Sequence, residues 1–118
     1  MRSGFVVIGD SQYFNGYALL LNKRHVESML ELSWLEKFRF LRDLLRVYRA
    51  VFSAFKPIRL NVELLGNTDH HLHWHIFPRY HTDTHPKKVV WVIDGVLRNK
   101  KASHSLVQKN KNKLKREL

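Results

Sequence analysis

The 118-residue chain contains no cysteine. Disulfide frameworks, thiolate-bound zinc and cysteine nucleophiles are therefore excluded, and a reducing cytoplasm is the expected setting. Long apolar runs are absent too, and none approaches the roughly 20 residues that a membrane-spanning helix needs. No membrane partner is expected. The opening MRSGFVVIGD lacks the signal-peptide pattern, having one basic residue, a short apolar run and then Asp10. Internal repeats and a domain-separating linker are also missing, so the length fits one small domain with one core. Histidine, carboxylate and backbone are left to carry any chemistry.

Acidic residues are scarce: ten, against 21 Lys and Arg, for a net charge of +11. The imbalance is local. From Leu97 to Leu118 eight Lys or Arg face a single acid, Glu117, so residues 1–96 carry only +4 of the total. This divides the chain into a domain at 1–96 and a basic tail or helix at 97–118, with 103–116 the helical candidate. Such a tail could grip nucleic acid or another polyanion. It has no aromatic residue for base stacking, which favours a solvated terminus.

Between these limits the chain alternates short elements. FVVIGD at 5–10 and YALLLNK at 17–23 read as adjacent antiparallel strands separated by the turn signal Asn15-Gly16. From Ser33 the period changes. Trp34, Phe38, Leu41, Leu45, Tyr48, Phe52 and Phe55 draw one line down a helix, and Phe40, Leu44, Val47, Val51 and Ala54 a second. Together they make an apolar face wide enough to cover a sheet or contact a partner. Ser33 with Glu36 predicts a capping box at the start, and Lys56-Pro57 a stop. IRLNVELLG and HLHWHIFPRY then read as two more strands joined by GNTD, and VVWVID at 89–94 as a further one. HTDTHP at 81–86 is a loop, and Trp91 is expected as a core aromatic.

The segment HHLHWHIFPR at 70–79 concentrates the chemistry. On a strand, His71, His73 and His75 share one face, about 6.5 to 7 Å apart, while Leu72, Trp74 and Ile76 share the other and can bury against the long helix. A row of imidazoles suits metal binding or covalent phosphoryl chemistry, in which a neutral ring attacks phosphorus and is later displaced by water. The neighbours favour phosphate. Gly66 allows close backbone approach, Asn67 and Thr68 offer an amide and a hydroxyl, and Arg79 follows as a cation.

HLHWHIF, preceded by GNT at 66–68, resembles the His-apolar-His-apolar-His segment of the histidine triad superfamily of nucleotide hydrolases and transferases. It is most similar to the bacterial branch resembling diadenosine tetraphosphate hydrolases. The resemblance covers most of residues 4–94. It implies an α+β fold, an antiparallel sheet of about five strands with one long helix packed on it, and a homodimer. It also implies cleavage at the α-phosphate of a purine nucleotide, in a dinucleoside polyphosphate or nucleoside phosphoramidate, with no cofactor and no structural zinc. His73 would be the nucleophile, His71 would orient it, and His75 would contact the phosphates or leaving group. Asn67, where the family usually has glutamine, and Thr68 would bond phosphate oxygens. Asp10 would hold the ribose hydroxyls, His25 would support the site from the neighbouring strand, and Asn61 would lie close to the phosphates. Two rivals remain: a nucleic-acid-end-processing relative using the basic tail, and a noncatalytic metal-binding module using the three histidines.

Overall fold

The structure, a computed structural model, describes all of residues 1–118. Four strands, β1 (Gly4–Ile8), β2 (Ala18–Asn22), β3 (Arg59–Glu63) and β4 (His73–Arg79), form one antiparallel sheet in the order β1-β2-β4-β3. Helix α1 (Trp34–Phe55) crosses one face. A short helix α2 (Gly95–Arg98) and a terminal helix α3 (His104–Glu117) complete the chain. No helix is long and apolar enough to cross a membrane.

The β1–β2 connection turns at Gly16, whose φ of +94° is one that side chains rarely adopt. A β-carbon there would also lie 2.5 Å from the Phe55 ring, so the turn and its packing on α1 both demand glycine. Register then matches like with like: Ala18 pairs with Ile76 and Leu20 with Trp74, putting apolar side chains on the α1 side. Ala18, Leu20, Leu72 and Ile76 join Phe40, Val47 and Val51 in the main core. β2 pairing ends at Ala18↔Ile76, so Pro78 sits in β4 where no β2 partner needs its missing N–H.

α1 starts and stops where the chain chemistry places it, with one difference in the cap. The Ser33 hydroxyl accepts from the Glu36 N–H at 3.2 Å, but the Glu36 carboxylate pairs with Arg24 at 2.9 Å instead of closing a box. The reciprocal box forms earlier, between Ser28 and Glu31, at the 3-10 turn Met29–Glu31. At the far end Lys56 adopts the left-handed conformation ahead of Pro57.

The two apolar lines of α1 have separate fates. Phe40, Leu44, Val47, Val51 and Ala54 bury on the sheet together with Asp43. Burial alone would raise the Asp43 carboxyl, yet the N–H and O–H of Ser3, at 2.9 and 2.6 Å, hold it below the usual carboxylate range. The other line points outward over most of its length, with Trp34 75%, Phe38 67% and Leu45 68% exposed and Leu41, Tyr48 and Phe52 continuing it, while its last member, Phe55, turns into the main core.

Residues 89–94 do not form the expected fifth strand. Val90–Val92 make a 3-10 turn, and Val90 and Ile93 close a small second core with Phe14 and Phe77. The chain beyond residue 96 packs on the rest of the fold. α3 contacts α1 and β1, buries Leu114 and sends the Asn110 amide to Gln12 Oε1 at 2.7 Å and Asn15 Oδ1 at 2.9 Å.

Candidate active site

The loop entering β4 turns at Gly66, with φ of +131°, and a β-carbon there would meet nothing closer than the Asp69 carbonyl oxygen at 3.9 Å. Asp69 Oδ1 then accepts the His71 N–H at 3.1 Å. This side-chain turn delays regular pairing, so β4 begins at His73 and His71 lies just ahead of it.

That offset separates the three imidazoles. His73, 6% exposed, places Nδ1 at 2.6 Å from the His71 carbonyl oxygen. A carbonyl only accepts, so Nδ1 carries the proton and Nε2 keeps its lone pair. His73 Nε2 lies 3.0 Å from His75 Nε2, which must then be the donor. His75 Nδ1 is left to accept, and the Tyr17 hydroxyl reaches it at 2.7 Å. The proton order is therefore Tyr17 O–H to His75, His75 N–H to His73, and His73 N–H to the His71 carbonyl.

Electrostatics agree with this order. Burial, and then the adjacent His73, lower the His75 imidazole to about 4, so it stays neutral across the physiological range. Burial and the charge of Glu63 push the Tyr17 phenol well above its ordinary value, which keeps it a donor. Tyr17 also stacks on Phe77, ring centroids 4.3 Å apart. Tyr17→Phe keeps that stack and deletes only the bond that fixes the His75 tautomer. If the His73–His75 pair carries a reaction, its turnover should fall about 10-fold with little change in melting temperature, since one hydrogen bond to a positioned group is lost. His75 is largely neutral between pH 7 and 5 in the wild type, and because the Tyr17 bond stabilises that neutral ring, Tyr17→Phe should move any His75 limb of the rate profile to higher pH; a profile that shifts to lower pH would contradict the order.

The His71 ring turns away from the other two. Its Nε2 donates to the Asn22 carbonyl at 2.6 Å, and its Nδ1 lies 3.0 Å from His25 Nδ1. His71 thus orients His73 through its main-chain oxygen, and His25 braces His71. The sequence expectation of three rings in one row is corrected to a ring pair plus a carbonyl. No set of three His, Cys, Asp or Glu gathers where a metal could be held.

A cleft of about 520 Å³ opens on His73 and His75, walled by the Leu65–Asp69 loop and by Trp91, Arg98 and Asn99. Asn67 and Thr68 line it. Asp10 and Asn61 do not. Asp10 borders a groove between β1 and α3, and its carbonyl accepts from the Ala102 N–H at 2.8 Å. Asn61 Oδ1 accepts from Arg79 Nη1 at 2.7 Å. Arg79, expected to face phosphate, is instead buried at the far end of β4.

Three contributors were not legible as such. Tyr17 reads as an ordinary strand residue until pairing sets it beside β4. Trp91, expected in the core, is 40% exposed on the cleft wall, its Nε1–H donating to Glu63 at 2.6 Å. Arg98 lay in the run read as a basic tail.

A four-stranded antiparallel sheet with a long helix on one face, bearing an alternating histidine segment behind a glycine turn, defines the histidine triad class of fold. The chain belongs to the HIT domain family, with which residues 6–82 match. It is 32% identical over 75 residues to Protein hit of Bacillus subtilis, a match that takes in 59% of this chain and 52% of that one. The chain thus spans about half the length of that relative. A histidine triad protein from Bradyrhizobium japonicum superposes with a TM-score of 0.87 at 24% identity, over 99% of this chain and 85% of that one. A hypothetical histidine triad nucleotide-binding protein from Sulfolobus tokodaii superposes with a TM-score of 0.77 at 17% identity, over 98% and 77%.

Proposed function

We propose that the chain is a nucleotidyl hydrolase or transferase, cleaving at the α-phosphate of a dinucleoside polyphosphate or nucleoside phosphoramidate. The observation that carries this reading is the 2.6 Å bond between His73 Nδ1 and the His71 carbonyl, which leaves a nucleophilic Nε2 at the cleft. Family membership supports it, and so does the name of the Sulfolobus tokodaii protein, which marks that neighbour as nucleotide-binding.

The steps follow from the site. His73 Nε2 attacks phosphorus, the bond to the leaving group breaks, and the nucleotidyl group is held on His73. The ring becomes cationic as this bond forms, and the carbonyl dipole on Nδ1–H stabilises that charge. His75 Nε2–H is freed from His73 and turns its bond to the phosphoryl oxygens. Asn67 and Thr68 offer their polar groups to the same oxygens. Water then displaces His73 from phosphorus. Rapid mixing with such a nucleotide, an alkaline quench that preserves P–N bonds, and intact-mass measurement should find one nucleotidyl group on the wild-type chain, mapping to His73. Turnover with the label on another residue would overturn the assignment.

The working unit in this reading is a homodimer joined through the outward line of α1. Trp34, Phe38 and Leu45 are too exposed to be left in water by a stable monomer. Phe38→Glu with Leu45→Arg should convert a sedimenting dimer into a folded monomer. A wild-type chain that stays monomeric across the accessible concentration range would remove the proposal.

A further inference from the structure

Arg98 is the single Lys or Arg among the residues lining the cleft. Its guanidinium lies over the Trp91 ring, 4.6 Å from the centroid. Trp91 is itself held by Glu63 and meets His75 edge-on at 5.9 Å. One aromatic ring therefore separates this cation from the catalytic pair. The main chain is fixed as well: the Arg98 N–H donates to Asp94 O at 2.8 Å, and its carbonyl accepts from the Ser11 hydroxyl.

The side chain is placed but not satisfied. Nε and Nη1 make only long bonds of 3.4 Å, to Ile93 O and Asn99 Oδ1, and Nη2 has no partner in the protein. No carboxylate forms an ion pair with it. Asp69, the one acid lining the cleft, accepts the His71 N–H through Oδ1. A planar cation stacked on tryptophan, with free N–H groups facing a cleft, suits a second phosphate beyond the one under attack.

We propose that Arg98 makes this site selective for nucleotides whose leaving group is a phosphate chain, over those whose leaving group is a neutral amine. The inference rests on the nucleotidyl-transfer reading of His73. As the His73 Nε2–P bond forms, the bridging P–O bond breaks and its electron pair passes to the leaving phosphate oxygen, adding negative charge on the Arg98 side. With an amine, the P–N electron pair takes a proton from water and no such charge develops. Arg98 therefore stabilises one transition state more than the other.

Two substrates with the same adenylyl group test this: diadenosine tetraphosphate and adenosine 5′-phosphoramidate. In Arg98→Gln the ratio of kcat/KM for the first over the second should fall about 10- to 100-fold, the effect of one charge-assisted bond. Arg98→Lys should restore part of it. Equal losses on both substrates, or an unchanged ratio, would overturn the proposal. If the wild-type chain turns over neither compound, the nucleotidyl-transfer reading fails, and equilibrium titration with AMP and ATP decides Arg98 separately. The wild type should then prefer ATP and Arg98→Gln should lose that preference; no preference in the wild type, or its survival in the variant, would refute the role of Arg98.

Discussion

His73→Ala will lower kcat for a nucleotidyl substrate by about 1,000-fold or more if the covalent route proposed above runs through this ring, since its attacking nitrogen is then gone. KM should move far less, since Asn67, Thr68 and Arg98 still line the cleft. His73 is nearly buried, so an alanine leaves a small void and an unpaired His71 carbonyl. His73→Gln provides the second variant: it fills more of the space and its amide can still donate to that carbonyl, but it is a far poorer nucleophile than imidazole. Both variants should lose turnover while circular dichroism and melting report a folded chain. Activity within about threefold of wild type in either would mean that another group attacks phosphorus.

Arg79→Met should destabilise the fold by about 3–5 kcal/mol, the range for breaking a buried ion pair on one side. Arg79 is 2% exposed and is bonded on every side. Nε donates to Asp83 at 2.8 Å, Nη1 to Asn61 at 2.7 Å and to the Lys88 carbonyl at 2.6 Å, and Nη2 to the His85 carbonyl at 2.8 Å. Its guanidinium also lies 5.2 Å from the Phe14 ring centroid, above the second core. One side chain thus ties the 80–88 loop to β3 and β4. Methionine matches the stem but leaves Asp83 with only the Tyr80 N–H, and Asn61 Oδ1 and two carbonyls without the Arg79 donor. Urea unfolding should show the loss as a lower midpoint, with nucleotide binding failing only where the fold fails. A variant of wild-type stability with weakened nucleotide affinity would instead return Arg79 to the phosphate site.

The contrast between Arg79 and Arg98 shows where sequence reading runs out. Arg79 follows the histidines by four positions and looked like their cation; strand geometry carries it to the far end of β4, away from the cleft. Arg98 follows by 23 positions inside a basic run and looked like solubilising charge, yet the α2 turn returns it to the site. VVWVID shows the same limit. Its apolar run fits a strand, but Val90 and Ile93 are drawn into the Phe14–Phe77 cluster, and no sheet edge takes up the segment.

What the amino-acid order determined unaided is whatever acts between near neighbours. The four strand segments, the Ser33 cap, the stop before Pro57, the burial of Leu72 and Ile76, and the nearness of His73 and His75 to the Gly66 turn all follow from period and turn chemistry. Only the tertiary structure decided which apolar line of α1 is covered, why His71 offers a carbonyl in place of its ring, and that Tyr17 meets His75 while Trp91 and Arg98 line the cleft. Those outcomes depend on register and packing between segments far apart in the chain, where a hydrogen bond or ring contact is made by elements whose local patterns carry no record of each other.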